Sequence, residues 1–258
     1  MKNTKIEKLA NSLVKAFVGN KIIAPIPLKY TKSMENAQEL RRLCESKINQ
    51  PIIGFKAAGT GIPVLKKLGE KEPFYASIFK NNVLKSGKSV KINPHTLGIE
   101  LEVGYLIKKT FFQLKGSINF VNIHKYISHM MPAIEVVGYR QKKKGIKFLG
   151  DLCSDFGVNV KFIIGKKSKY RRINFGKLKS SIENKKIKQL VFGHTNTVYI
   201  NPLNSLRFVL NKLKKDKIIL NKNFYVFTGS TVGVLPILGK GIYHGKIDKL
   251  GSVKAKII

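Results

Sequence analysis

The sequence predicts an α+β fold in which helices near the amino terminus precede a mostly antiparallel β body. Three observations predict it. The first fifty residues repeat apolar side chains at helical spacing, residues 97–258 turn to strand patterns, and no linker rich in Gly, Pro or Ser separates a second domain. We therefore expect one domain over residues 1–258, with residues 1–50 as its mostly helical part. A chain of 258 residues can bury a full core without disulfides.

Three helices are predicted from apolar spacing and from residues that favour helix ends. The first helix ends at Gly19, because glycine readily adopts the backbone conformation that closes a helix. The second begins after Ser33, and the third follows Asn201-Pro202, where asparagine caps the helix and proline suits its first turn. These predicted ends separate the three helices from the extended segments between them.

The predicted strands are short apolar or alternating runs bounded by glycine and proline, and residues 59–63 are expected to form a turn. Residues 99–107 alternate apolar and other side chains, which is typical of a strand with one buried face. The predicted strands cover residues 52–58, 99–107, 133–139, 158–164, 224–227, 232–238 and 253–258.

The formal net charge is +35, from 49 basic and 14 acidic residues, and nucleic acid is the usual partner of such a surface. Arginine accounts for only six of the basic residues, although its planar fork dominates base and phosphate recognition. An excess of lysine, isoleucine and asparagine is typical of AT-rich coding, so we expect no specific nucleic-acid partner. We also expect no membrane partner and a cytoplasmic location, because neither a membrane-length apolar run nor a secretion signal is evident.

Acidic residues are rare in this chain, and three of them lie inside apolar strands. Glu100 and Glu102 are two residues apart, so on a strand their carboxylates share one face. Glu135 lies in another apolar stretch, where an unpaired carboxylate is costly. Either lysines or arginines pair with these acids, or a hard divalent cation takes three carboxylate oxygens. The spacing alone leaves both alternatives open.

Lys56 is the lysine with the most unusual surroundings, because it ends an apolar strand that leads into a glycine turn. A lysine among apolar neighbours can act as a base or as an electrostatic clamp, whereas most lysines are surface residues. The context of Lys56 makes it a candidate catalytic residue.

A series of short motifs runs from about Lys47 to the carboxyl terminus. The motifs are Gly54-Phe-Lys-Ala-Ala-Gly-Thr60, Leu68-Gly-Glu-Lys-Glu-Pro-Phe-Tyr75 with Ile78-Phe79, Ile99-Glu-Leu-Glu102, Met131-Pro-Ala-Ile-Glu-Val-Val137, the run from Asp151 to Gly165, Thr228-Gly-Ser230 and Leu250-Gly-Ser-Val253. Each motif is unspecific, but their joint order is characteristic. Taken in this order, the motifs resemble the 2-keto-4-pentenoate hydratase and 2-oxohex-3-enedioate decarboxylase family of the fumarylacetoacetate hydrolase superfamily.

The resemblance implies a mixed β-sheet roll with amino-terminal helices, and a lyase that acts on a 2-oxo or 2-hydroxydienoic acid through a metal-stabilised enolate, as in the catabolism of aromatic compounds. It also implies a homo-oligomer. The residue roles that it implies are Mg²⁺ or Mn²⁺ held by Glu100, Glu102 and Glu135, catalysis by Lys56 and Asp155, and substrate binding by Thr60, Thr228, Ser230 and Thr231.

Two positions depart from the family pattern. Phe74 stands where many members have an aspartate, and Phe156 stands where an asparagine often follows the second aspartate. The first departure removes a carboxylate suited to proton transfer. We expect 2-keto-4-pentenoate hydratase-like hydration, with decarboxylation of a 2-oxohex-3-enedioate-type acid as the alternative. A second alternative, of a different class, is a non-catalytic basic protein that binds nucleic acid or another polyanion.

Overall fold

A computed structural model describes residues 4–19, 21–93, 95–142 and 145–258. None of the helices in these ranges combines the length and the apolar character that a membrane span requires. The helices are α1 (Thr4–Gly19), α2 (Met34–Ser46), α3 (Ile62–Lys67), α4 (Ile123–Tyr126), α5 (Gly150–Cys153) and α6 (Pro202–Lys215). The strands are β1 (Ile52–Ala58), β2 (Phe74–Phe79), β3 (Val83–Lys85), β4 (Ser89–Val90), β5 (Thr96–Ile107), β6 (Ile127–Gly138), β7 (Asn159–Ile164), β8 (Ser168–Lys169), β9 (Lys179–Asn184), β10 (Gln189–His194), β11 (Phe224–Ser230), β12 (Gly241–Ile247) and β13 (Gly251–Ile257).

Two mixed sheets form the β body. The larger sheet has the strand order β2-β1-β11-β5-β6-β7-β3, with β8 also paired to β6, and the smaller sheet has the order β10-β9-β12-β13-β4. Most pairs are antiparallel, and the parallel ones are β1 with β11, β3 with β7, and β13 with β4. The long antiparallel pair of β5 and β6 lies at the centre of the larger sheet.

The main hydrophobic core lies between the two sheets and under α6. Leu101 of β5 and Ile134 of β6 face each other in the register, and both approach Gly245 of β12. A side chain at Gly245 would overlap Leu101, because an added Cβ would lie 2.6 Å from the Leu101 Cδ1 atom. Apolar residues of α6, among them Leu206 and Leu210, complete this cluster.

A second cluster joins the amino-terminal helices to the far end of the larger sheet. Leu13 of α1 and Leu40 of α2 are buried together with Phe79 of β2 and Phe156. The ring of Phe17 lies 4.5 Å from that of Phe156 and 5.6 Å from that of Phe79, measured between centroids. The helices therefore cover the turn after α5 as well as the edge strand β2.

The predicted α+β class is confirmed, and so are the three predicted helices. Asn201 caps α6 as expected, because its side chain accepts a hydrogen bond from the Leu203 amide. The prediction that β5 buries one face is wrong, since the curled larger sheet and its helices bury both. The expected turn over residues 59–63 runs directly into α3.

The predicted strand over residues 232–238 is also wrong. Only Leu235 pairs there, in an isolated bridge to Ile99. Gly233 has a φ of +74°, and its carbonyl accepts a hydrogen bond from the Ser230 hydroxyl, so the chain turns instead of extending. The extent of the domain, residues 1–258, stays a prediction.

Gly54 allows β1 and β11 to approach closely, and this contact generates a prediction. An added Cβ would lie 2.6 Å from the Tyr225 carbonyl oxygen, which is backbone and cannot move aside. Gly54→Ala should therefore destabilise the protein by about 1–3 kcal/mol in denaturant unfolding. The matched control is Gly19→Ala, where the nearest atoms belong to the flexible Lys21 side chain at 3.7 Å. Equal stability of the two variants would contradict the prediction.

Candidate metal centre and active site

The register of β5 and β6 brings three glutamates to one face of the larger sheet. Glu100 pairs directly with Glu135, and Glu102 follows two residues along the same face of β5. One carboxylate oxygen from each of the three lies within 4.8 Å of the others. Glu102 and Glu135 are fully buried, and Glu100 is partly exposed. The three carboxyl groups therefore form one largely buried cluster.

Lys56 reaches this cluster from β1. Its Nζ atom lies 2.6 Å from Glu135 Oε1 and donates a second hydrogen bond to the Gly157 carbonyl at 3.1 Å. Two strands, β11 and β5, separate β1 from β6 in the sheet, a distance of about 14 Å in a flat sheet. The contact between Lys56 and Glu135 exists because the sheet curls and brings these strands toward each other.

The hydrogen bonds around the glutamates leave two oxygens for a ligand. Glu102 Oε2 accepts a hydrogen bond from the Gly229 amide at 2.8 Å. Glu102 Oε1 and Glu135 Oε2 are buried, and neither has a hydrogen-bond partner within the described residues. Buried carboxylate oxygens of this kind are costly unless a cation meets them, and hard divalent cations prefer oxygen ligands. The cluster therefore fits a divalent metal ion.

The electrostatics of the cluster lead to the same conclusion. Burial raises the pKa of Glu102, to about 7, with the charge of Glu100 acting in the same direction. Burial also raises the pKa of Glu135 well above its ordinary value, although Lys56 opposes this shift. Burial alone would lower the pKa of Lys56, but the charges of the three glutamates outweigh it and raise that pKa. Glu102 and Glu135 thus retain protons at higher pH than ordinary carboxyl groups, and a divalent cation would favour their charged forms.

A cavity of about 490 Å³ opens beside the cluster. Lys56 and Glu100 are the charged residues among the described residues that line it, and its walls are otherwise mostly apolar. Glu102 and Glu135 lie behind this charged end, where they are closed off from solvent. The arrangement offers a polar, metal-binding end and an apolar body.

The predicted substrate-binding residues lie at different depths. Thr60, Ser230 and Thr231 line the cavity, whereas Thr228 is buried outside it and donates a hydrogen bond to the Val103 carbonyl at 2.9 Å. The Thr231 hydroxyl donates to the Leu101 carbonyl, and the Ser230 hydroxyl donates to the Gly233 carbonyl. Their binding roles stay predictions.

Asp155 is buried outside the cavity lining and pairs with Arg140. Its Oδ2 atom accepts the Arg140 backbone N–H at 2.8 Å, and its Oδ1 atom lies 3.5 Å from the Arg140 Nη1 atom. Phe156, Gly157 and Val158 follow with positive φ angles of 54°, 66° and 53°. The Arg140–Asp155 pair therefore anchors the turn that presents the Gly157 carbonyl to Lys56.

Phe74 packs beneath that same turn. A Cβ added to Gly157 would lie 3.5 Å from the Phe74 Cε2 atom and 3.0 Å from the Ala76 Cβ atom. An aromatic ring thus fills the volume next to the turn, and position 74 supplies no carboxylate. Phe74, which replaces the aspartate of the family pattern, therefore contributes to packing in this structure.

The sequence analysis missed three residues that support the site: Gly157, Gly229 and Arg140. Gly157 and Gly229 act through their backbones, which no side-chain motif reveals, and both have positive φ. Arg140 could have been found, because it is one of only six arginines in a lysine-rich chain and follows the strand of Glu135. Its cation also lies 4.9 Å from the centre of the Phe17 ring.

Comparisons with known proteins agree with this geometry, although no protein-family model matches the sequence. The chain is 22% identical over 207 residues to the TodF product hydratase of Pseudomonas putida, covering 79% of this chain and 75% of that protein. It is 22% identical over 263 residues to a 2-keto-4-pentenoate hydratase of Paraburkholderia phymatum, covering 98% of this chain and 97% of that one.

Among solved structures, 4-oxalocrotonate decarboxylase from Pseudomonas putida G7, complexed with magnesium and adipate, has a TM-score of 0.84 at 18% identity, covering 100% of this chain and 99% of that one. Fumarylpyruvate hydrolase from Pseudomonas aeruginosa, in complex with Mn²⁺ and pyruvate, has a TM-score of 0.52 at 14% identity, covering 82% and 92%. The chain therefore shares the fold of these two solved structures, as the motifs indicated. The resemblance to the hydratase and decarboxylase family is likewise confirmed.

The glutamate cluster predicts a metal-binding phenotype. Glu100→Gln, Glu102→Gln and Glu135→Gln should each weaken Mn²⁺ binding by about tenfold or more in calorimetry, because each removes one anionic ligand. Glu72→Gln is the matched control, since Glu72 pairs with Lys212 on the surface. If all three variants bind Mn²⁺ as the parent does, the metal does not bind at this cluster.

The ion pair of Lys56 with Glu135 predicts that metal binding and stability are coupled. Lys56→Met leaves the buried Glu135 carboxylate without its cation, so the metal-free variant should lose about 3–5 kcal/mol of stability. Saturating Mg²⁺ should restore more of this loss than it adds to the parent, because the metal supplies the missing positive charge. Thermal unfolding with and without Mg²⁺ measures both effects. An equal Mg²⁺ effect on variant and parent would contradict this coupling.

Proposed function

We propose that this protein is a Mg²⁺- or Mn²⁺-dependent lyase that hydrates a 2-hydroxydienoic or 2-oxo acid, as 2-keto-4-pentenoate hydratases do. One observation carries the proposal. Three glutamates and a protonated lysine close the polar end of an apolar cavity, and two buried carboxylate oxygens there have no hydrogen-bond partner within the described residues. The names of the hydratase relatives support the reaction class.

In this proposal the cation and the side chains of the protein have different roles. Glu100, Glu102 and Glu135 would hold the divalent cation, which would supply Lewis-acid polarisation to a 2-oxo group bound beside it. Lys56 lines the cavity and carries a proton, so it can hold the substrate carboxylate or transfer a proton. The apolar walls exclude water from the rest of the substrate, which strengthens these charge interactions.

Hydration is favoured over decarboxylation by the charges of the cavity. A decarboxylase of this type acts on an acid with a second carboxylate, which needs its own cationic or hydrogen-bonding partner. Among the described lining residues, Lys56 is the one cation, and it already faces Glu135 at the metal end. A dicarboxylate would find no second cation for its second charge among these residues.

The remaining expectations from the sequence stay predictions. A direct proton-transfer role for Asp155 is one of them, and its buried pair with Arg140 favours a positioning role instead. The homo-oligomeric state, the cytoplasmic location and the lack of a specific nucleic-acid partner are the others. With Phe74 in place of an acidic residue, we propose Lys56 as the proton carrier nearest to the metal cluster.

The proposal is tested by a panel of 2-hydroxydienoic and 2-oxo acids, assayed with and without Mg²⁺ and followed by product analysis. We expect Mg²⁺-dependent addition of water to a 2-hydroxydienoic acid. Lys56→Met should lower turnover by about 10²–10⁴-fold in saturating Mg²⁺. Lys256→Met, a change of an exposed lysine on β13, is the matched control and should leave turnover unchanged. Release of CO₂ without hydration would establish the decarboxylase alternative instead.

A further inference from the structure

The mouth of the cavity carries an unusual concentration of exposed apolar side chains. Val64, Leu97, Ile146, Phe192 and Val234 all line the cavity, and all are among the large apolar residues that remain exposed. Phe192 is 76% exposed, although exposing an apolar ring to water is energetically unfavourable. Contiguous apolar surface at the rim of a pocket is typical of a surface that an apolar ligand covers.

These residues come from separate parts of the fold. Val64 lies on α3, Leu97 lies near the start of β5, Phe192 lies on the edge strand β10, and Val234 follows the turn after β11. No single helix or strand therefore accounts for the apolar rim. It continues inward into the apolar walls formed by Val137, Leu152 and Val158.

The volume of the cavity exceeds what a short acid would fill. A five-carbon 2-oxo acid has eight non-hydrogen atoms, and even at about 30 Å³ each, the volume of a liquid water molecule, they would take about half of the space. The cavity has a volume of about 490 Å³. The unfilled half is the apolar half, next to the rim.

The charge distribution decides what can fill that half. Among the described residues that line the cavity, the charged groups are Lys56 and Glu100, and both lie at the metal end. An anionic group on the distal part of a substrate would lose its water without gaining a cation there. An uncharged apolar group would instead cover the exposed rim.

We infer that the natural substrate is a monocarboxylic acid that carries a bulky, uncharged apolar group at the end of its carbon chain away from the 2-oxo and carboxylate groups. This group is an alkyl chain of several carbons or an aryl ring. Phe192 is a specificity-determining residue that packs against this group. The inference rests on the proposed function, because the metal end must hold the 2-oxo acid for the tail to reach the rim.

Calorimetry with saturated 2-oxo acids, which bind without reacting, tests the inference on the full chain in saturating Mg²⁺. The probes are pyruvate, 2-oxopentanoate, 2-oxooctanoate and 2-oxoadipate. Affinity should rise by about threefold to fourfold for each methylene that enters the cavity. 2-Oxooctanoate should bind at least about 30-fold more tightly than pyruvate. 2-Oxoadipate should bind no more tightly than 2-oxopentanoate.

Phe192→Ala should weaken 2-oxooctanoate binding by about fivefold or more and leave pyruvate binding within about twofold. The matched control is Leu190→Ala, because Leu190 is 52% exposed on the same strand but lies outside the cavity lining. It should bind both acids as the parent does.

Several results would overturn the inference. If affinity is independent of chain length, or if 2-oxoadipate binds most tightly, the substrate class is wrong while the proposed function stands. If Phe192→Ala changes the oligomeric state in size-exclusion chromatography and leaves 2-oxooctanoate affinity unchanged, the rim contacts a second copy of the chain. If no 2-oxo acid binds in Mg²⁺, both the inference and the proposed function fail.

Discussion

Burying three carboxylates side by side is the constraint on which the rest of this structure depends. Like charges at this separation repel strongly in a poorly solvated interior, and each also loses its hydration. Lys56 supplies one compensating charge at 2.6 Å from Glu135, and the Gly229 amide stabilises Glu102. These contacts leave the cluster deficient in positive charge and rich in unpaired oxygens. The raised pKa values of Glu102 and Glu135 reflect this deficit of positive charge, which a bound divalent cation would offset.

The two faces of the curled sheet differ in character, since one packs into the apolar core and the other carries the three glutamates. On one face of β5, Leu101 packs into the core between the sheets, and on the other face Glu100 and Glu102 meet Glu135. The curl brings β1 toward β6, so that Lys56 spans the gap. The amino-terminal helices complete the arrangement, because they hold the turn whose carbonyl accepts the second Lys56 hydrogen bond.

The cavity has a charged end at the glutamate cluster and a mostly apolar body, and these two parts suit different parts of a ligand. In the proposed function, the metal end would recognise the feature common to all 2-oxo acids, and the apolar body and rim would distinguish one acid from another. Phe74 contributes to this division, because its ring supports the Gly157 turn where a carboxylate would add a further negative charge. In the proposed function, proton transfer would consequently depend more heavily on Lys56, whose ammonium group also pairs with Glu135.

The sequence by itself determined where the helices with clear caps and the central strands lie, because helix ends and the two-residue period of a strand are local properties. It also singled out the three glutamates as site residues, because acidic residues are rare in this chain and these three lie in apolar strands. It also indicated the superfamily through the order of its motifs. Only the tertiary structure decided that Lys56 pairs with Glu135 and that Phe192 reaches the cavity. It also showed that residues 232–238 turn instead of forming a strand. Lys56 and Glu135 are 79 residues apart and lie on strands that are not neighbours, so their contact depends on the curl of the whole sheet, a property that no local pattern of residues encodes.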